Sequence, residues 1–135
     1  MTDPFVFFDS TWARLGAGFI LGSILGSFAT MLAYRLPRRQ SIVFPRSRCP
    51  SCGTALGVAD LVPLLSWLFL KGRCRHCRAP IDRSYFLIEL SASLLGALAC
   101  LWLGFSWELL FAFLLIVATI VFVSVRLSKR RSDPL

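Results

Sequence analysis

The sequence predicts an all-α membrane protein: three transmembrane helices and a cytoplasmic zinc-ribbon-like loop that contains a short apolar interfacial helix. Three observations predict it. Of 135 residues, 56% are hydrophobic and 16% charged, a balance that argues against a soluble globule and leaves about one domain of chain for the bilayer to solvate. The formal net charge of +8 is gathered between the apolar stretches, as the positive-inside rule expects of segments facing the cytoplasm. Finally, Cys49, Cys52, Cys74 and Cys77 form two C-x-x-C pairs with the separation of one tetrahedral metal site.

Residues 1–14 form an outer amino-terminal segment. Asp3 and Asp9 stand where a secretory signal carries positive charge, and no small-residue cleavage site follows, so no cleavable signal is expected. Phe5, Phe7 and Phe8 suit the lipid–water interface. Residues 15–36 are the first transmembrane helix, free of charge from Leu15 to Ala33 and about long enough to cross the hydrocarbon. Gly18, Gly22 and Gly26 recur every fourth residue on one face, beside Ser23 and Ser27. That spacing predicts close helix packing, with a ligand groove along the same face as the alternative. Arg35, Leu36 and Pro37 end the helix, because proline disfavours helical geometry in the residue before it.

Residues 37–84 are the cytoplasmic four-cysteine loop. From Arg35 to Arg83 the chain carries ten Lys or Arg against Asp60 and Asp82, which places the loop inside. The cytoplasm is reducing, so the cysteines are expected as thiolates on one metal and not as disulfides. Pro50 stiffens the first knuckle and Gly53 lets it turn back. Zn2+ in a closed four-sulfur shell is a structural clip with no open position for catalysis; iron in a rubredoxin-like site uses similar ligands. His76, between the last two cysteines, is expected to point away from the ion. Asp60–Leu70 is apolar but too short to span. With Asp60 as N-cap and Pro63 in the first turn, it predicts a helix at the membrane surface or packed on the transmembrane helices, with Trp67 near the headgroups.

Residues 85–103 are the second transmembrane helix, interrupted by Glu89 about a turn inside its cytoplasmic end. Residues 107–125 are the third, and 126–135 a basic cytoplasmic tail with Arg126, Lys129, Arg130 and Arg131. The amino terminus is thereby outside and the carboxyl terminus cytoplasmic. Cys100 is expected in span packing. No internal repeat is evident.

Several strings together resemble one family. G-S-F-A-T-M-L-A-Y-R-L-P from Gly26, P-R-S-R-C-P-S-C-G from Pro45, D-L-V-P-L-L-S-W-L-F-L-K-G-R-C-R-H-C from Asp60 and Y-F-L-I-E-L from Tyr85 are similar to the amino-terminal domain of type IV prepilin peptidases/N-methyltransferases. The resemblance runs from about Gly18 to Val125. It implies a bacterial inner-membrane protein acting in the type IV pilus or type II secretion, with prepilins or pseudopilins as substrates and S-adenosylmethionine as methyl donor. The family's peptidase uses one aspartate at the cytoplasmic end of a transmembrane helix and another in a G-x-G-D motif. Here Arg126 stands where the first belongs, no G-x-G-D occurs, and Asp133 is alone. Two carboxylates must share a proton in such a site, so this sequence is not expected to cleave peptides unaided. Three positions also depart from the family's strings: Thr30 replaces an amide, Ser84 an arginine and Phe86 a proline.

Glu89 is the candidate catalytic residue. An acid within a span is costly and has a partner or a task, and the resemblance implies a link between this position and methyl transfer. A partly buried carboxylate there can take the proton an α-ammonium must lose before it attacks a methyl sulfonium. The alternative is that Glu89 pairs with Arg35 or Arg83. Arg38, Arg39, Arg46 and Arg48 are expected to meet anionic lipid; the membrane tether and apolar insert argue against nucleic acid. The expected function is thus the methyl-transfer half of prepilin maturation, or one half of a split enzyme with a separate aspartic peptidase subunit. The alternative is a non-catalytic membrane scaffold that holds prepilins or that peptidase.

Overall fold

The computed structural model describes residues 10–44 and 46–132. The expected outer segment up to Asp9, with Phe5, Phe7 and Phe8, and also Pro45 and Asp133, lie outside the described residues. The elements run α1 (Thr11–Arg35), a 3-10 turn (Val58–Asp60), α2 (Leu65–Phe69), α3 (Arg83–Leu103) and α4 (Trp107–Ser132). Thr11–Arg35, Arg83–Leu103 and Trp107–Leu127 are each long and apolar enough to cross a membrane. Helix α4 continues to Ser132, so the basic residues after Val125 extend the third helix.

Local chemistry sets the helix ends. The Ser10 hydroxyl accepts the Ala13 N–H at 3.3 Å and starts α1. At its other end the Leu36 N–H closes on Leu32 O at 2.9 Å, and Pro37 follows. Asp82 starts α3 by accepting the Ser84 N–H at 2.8 Å. Gly104, at φ 60°, stops α3 in a left-handed conformation open to glycine.

The core is a seam between α1 and α3, and its residues are small. Gly18, Gly22, Ser23, Gly26, Ala29, Thr30 and Ala33 of α1 are buried, facing Ala92, Ser93, Gly96, Ala97 and Cys100 of α3. Ile20, Leu21, Ile24 and Phe28 point outward. In lipid this distribution follows from physics: burying a leucine gains nothing over leaving it in acyl chains, whereas glycine lets two backbones meet and gain dispersion. Helix α4 packs more loosely, with Leu109 and Phe113 closing over Cys100 beside Leu25, Ala99 and Ile116. The glycine face is therefore a packing surface and not a ligand groove.

The seam predicts an asymmetric response to bulk. A Cβ on Gly22 would run into Ala92 O and lie 2.9 Å from Ser93 Cα, all backbone, whereas one on Gly16 meets nothing within 4 Å. Gly22→Leu is expected to destabilise the helix pair by about 1–3 kcal/mol or more, read as a lower unfolding midpoint in mild detergent. Gly16→Leu is expected to leave the midpoint unchanged; equal effects would contradict the tight seam.

Candidate metal centre and its membrane anchor

Each cysteine pair is built by the same backbone device. In the first knuckle Cys49 N–H donates to Thr54 O at 3.0 Å, Gly53 N–H to Cys49 O at 2.8 Å and Leu56 N–H to Ser47 O at 2.8 Å. In the second, Cys74 donates to Ala79 O at 2.9 Å, Arg78 to Cys74 O at 3.0 Å and Ile81 to Gly72 O at 2.8 Å. A single bridge closes each, Arg48 with Ala55 and Arg73 with Pro80. The loop therefore contains a structural repeat that the sequence reading missed, because only R-C-x-x-C is shared. Gly53 takes the left-handed corner at φ 71° in one knuckle; Arg78 occupies the matching corner at φ 60°, where a side chain is disfavoured.

The two knuckles bring one sulfur from each of Cys49, Cys52, Cys74 and Cys77 within 4.8 Å of one another. Cys49 Sγ and Cys77 Sγ lie 3.8 Å apart. A tetrahedron with metal–sulfur bonds of about 2.3 Å has edges of about 3.8 Å, whereas a disulfide needs about 2.05 Å. All four are free thiols by geometry, and the donor set fits one metal ion. The ion would have no open position, so its role is structural.

Electrostatics prepares three of the four sulfurs. Amides of Cys52 and Ser51 hold the Cys49 thiol below its ordinary value, and those of Cys77 and His76 do the same for Cys74. Cys52 is lowered by the Thr54 hydroxyl and then its amide. The Ala79 amide also favours the Cys77 thiolate, but desolvation and the neighbouring sulfurs outweigh it and push Cys77 up to about 11. A crowded set of sulfurs keeps its last proton until a cation replaces it. His76 is exposed, as expected from its place between the ligands.

The insert between the knuckles corrects one expectation. Asp60 does not cap an α-helix: it ends the 3-10 turn, where its carboxylate accepts Gly57 N–H at 3.1 Å and Arg75 Nε–H at 2.8 Å. Arg75, followed by the Gly57 amide, holds the Asp60 carboxyl below the usual carboxylate range. With the folded value depressed, the pair's stabilisation is present above the unfolded value of about 3.9 and is lost as pH falls through the lower folded value. Arg75→Gln is expected to move the Asp60 titration midpoint upward, followed by carboxyl carbon NMR; an unmoved midpoint would remove Arg75 as the main cause.

The α-helix starts later, at Leu65, because Leu64 breaks the chain direction at φ 60° and ψ −51°. That conformation is costly for a leucine, and a side chain from the membrane holds it. Leu64 N–H donates to Glu89 Oε2 of α3 at 2.9 Å, and the Leu64 side chain is buried. Glu89 thus accepts a backbone amide, a partner that neither the catalytic reading nor the alternative pairing with Arg35 or Arg83 included. A charge-assisted bond of this kind is stronger than a neutral one. Beside it Trp67 stacks on Phe86 with ring centroids 4.8 Å apart. The other side of Trp67 lies against Gly72, where a Cβ would come within 2.7 Å of the ring. Trp67 is therefore partly buried between the second knuckle and α3.

Two of the departures from the family strings have local uses: Thr30 Oγ1 donates to Ser27 O at 2.7 Å within α1, and Phe86 carries the Trp67 stack. At Ser84 only the backbone N–H is used, by the Asp82 cap. Sequence reasoning singled out the four cysteines, which the structure gathers, and Glu89, which it places at the base of the loop. It missed Leu64, Arg75 and Phe86 as partners. Leu64 acts through its amide, which leaves no trace in residue identity.

The family model described as Bacterial Peptidase A24 N-terminal domain matches residues 20–103. A prepilin leader peptidase/N-methyltransferase of Myxococcus xanthus (strain DK1622) is 48% identical over 98 residues, covering 73% of this chain and 29% of that protein. Proteins of the same name from Vibrio cholerae and Bacillus subtilis are 44% and 41% identical, covering 65% and 79% of this chain and 38% and 43% of their own length. The chain spans less than half the length of these curated relatives. No solved structure matches it.

Proposed function

The chain belongs to the bacterial peptidase A24 N-terminal domain family, and on that premise we propose that it supplies the methyl-transfer half of prepilin or pseudopilin maturation, or one half of a split enzyme. It is a multi-pass inner-membrane protein with three apolar helices. In this proposal the loop and carboxyl terminus face the cytoplasm and the amino terminus faces outward, following the charge of the loop. The basic loop meets anionic lipid, and the peptidase aspartates come from outside these residues. The ion is zinc, which suits four thiolates in a tetrahedral, redox-silent clip; metal analysis distinguishes it from iron.

One observation carries the chemical reading: the Glu89 carboxylate sits where the metal-clipped loop meets α3. A carboxylate has about four acceptor positions, and the Leu64 amide occupies one. The remainder can hold the α-ammonium of a processed pilin and take its proton. Glu89 would thus hold the amine, accept its proton and leave a neutral nitrogen able to attack a methyl electrophile. S-adenosylmethionine, the donor implied for this chemistry, supplies an electrophilic methyl group; no described residue is assigned to its binding.

The test is a reconstitution of this protein with a partner peptidase, a prepilin and the methyl donor. The expected product is a mature pilin one methyl heavier at its amino terminus. Cleavage without methylation would exclude the transferase reading and leave the second one, a scaffold for prepilin or peptidase. A specific observation favours that second reading: the side chains of Glu89, Thr30 and Phe86 all have structural uses.

A further inference from the structure

The second knuckle and α2 together form a surface of exposed apolar side chains beside a group of cations. Leu65, Leu68 and Phe69 project outward from α2, with Phe69 82% exposed. Next to Phe69 is a depression of about 580 Å³ whose rim includes Lys71, Arg73, Arg75 and Arg78. Arg75 is committed to Asp60. Lys71, Arg73 and Arg78 have no acidic partner among the described residues, and all three are exposed. Gly72, with φ 66°, and Lys71, with φ 52°, turn the chain sharply enough to set two of these cations beside the apolar helix.

Exposed apolar side chains beside convergent cations satisfy two halves of one ligand. Acyl chains accept Phe69, Leu65 and Leu68 without the cost water would impose, and a phosphodiester satisfies the cations. We propose that this depression seats the headgroup phosphate of an anionic phospholipid, with α2 lying in the acyl boundary beneath it. The surface would dock the metal clip onto the bilayer, so that Glu89, Trp67 and the lipid hold the loop from different directions. The inference rests on the loop lying at the membrane surface, and it is independent of methyl transfer.

The experiment uses the full chain, metal-loaded, in mild detergent, with lipid retention read by native mass spectrometry. Phosphatidylglycerol and phosphatidylcholine of identical acyl chains compete for the protein. Three cations at roughly five-fold each give an expected preference for phosphatidylglycerol on the order of 10²-fold. Lys71→Gln alone is expected to reduce the preference about five-fold. The triple variant Lys71→Gln/Arg73→Gln/Arg78→Gln is expected to lose it while keeping one metal per chain. Equal retention of the two lipids by the wild-type protein would overturn the proposal, as would a full preference in the metal-loaded triple variant. Displacement by millimolar inorganic phosphate as effective as by phosphatidylglycerol would identify a free-phosphate site and overturn the lipid source. If the triple variant loses its metal, the single variants and Phe69→Ser decide: unchanged preference in all of them overturns the assignment. Labelling Lys71 in intact cells with a membrane-impermeant amine reagent tests the underlying placement of the loop separately; labelling from outside would remove that placement without bearing on lipid selectivity.

Discussion

Glu89→Gln is expected to lower methyl addition to the processed pilin amino terminus by about 10² to 10⁴-fold, the range general-base catalysis contributes, while the loop stays folded and metal-loaded. The geometry makes this substitution informative. Glu89 Oε2 accepts the Leu64 N–H at 2.9 Å, and the side-chain carbonyl of glutamine accepts the same donor. What glutamine cannot do is take up a proton at neutral pH. Glu89→Ala removes both functions and leaves a buried amide without its acceptor, at a cost of about 1–3 kcal/mol. Three outcomes separate the roles. Methylation lost in both variants assigns proton acceptance. Methylation kept in Gln and lost in Ala assigns positioning of Leu64 alone. Activity retained in both takes Glu89 out of the mechanism.

Cys49→Ser is expected to release the metal and unfold both knuckles while the three long helices stay inserted. The size of the effect follows from how little else holds the loop. Among its described residues, only Cys49, Leu64, Gly72 and Cys74 are buried, and two of those are ligands. Structural zinc supplies about 10–16 kcal/mol of apparent binding energy in small four-ligand sites, as much as the whole stability of a typical domain. Metal content should fall from one ion per chain to none. Backbone amides of Cys49, Leu56, Cys74 and Ile81, all hydrogen-bonded in the knuckles, should exchange freely. Amides within α1 and α3 should remain protected. A variant that kept stoichiometric metal and protected knuckles would contradict the four-ligand site. Chelation of the wild-type protein should reproduce the variant, and zinc should reverse it.

Much of this architecture was legible because lipid simplifies the code. Charge-free stretches of sufficient length announce the spans, and four-residue glycine spacing announces the face of α1 that meets α3. The cysteine spacing announced the metal site, since two knuckles at that separation converge with little freedom. The loop's interior was less legible. Asp60 read as a helix cap because its residue type suits one, yet Arg75, distant in sequence, competes for the same carboxylate. Leu64 sits at a positive φ that no local signal encodes; the tertiary bond to Glu89 over-determines it. The knuckle repeat escaped notice because backbone hydrogen bonds define it, and Arg78 fills a corner where glycine would have advertised the turn.

The glycine seam has a mechanical consequence. Where longer side chains separate two helices, those side chains can move between staggered rotamers. At Gly18 and Gly22 no such side chain intervenes, for a Cβ there would come within 3 Å of the main chain of α3. The two spans are therefore expected to tilt together, as one body, carrying the loop that joins them.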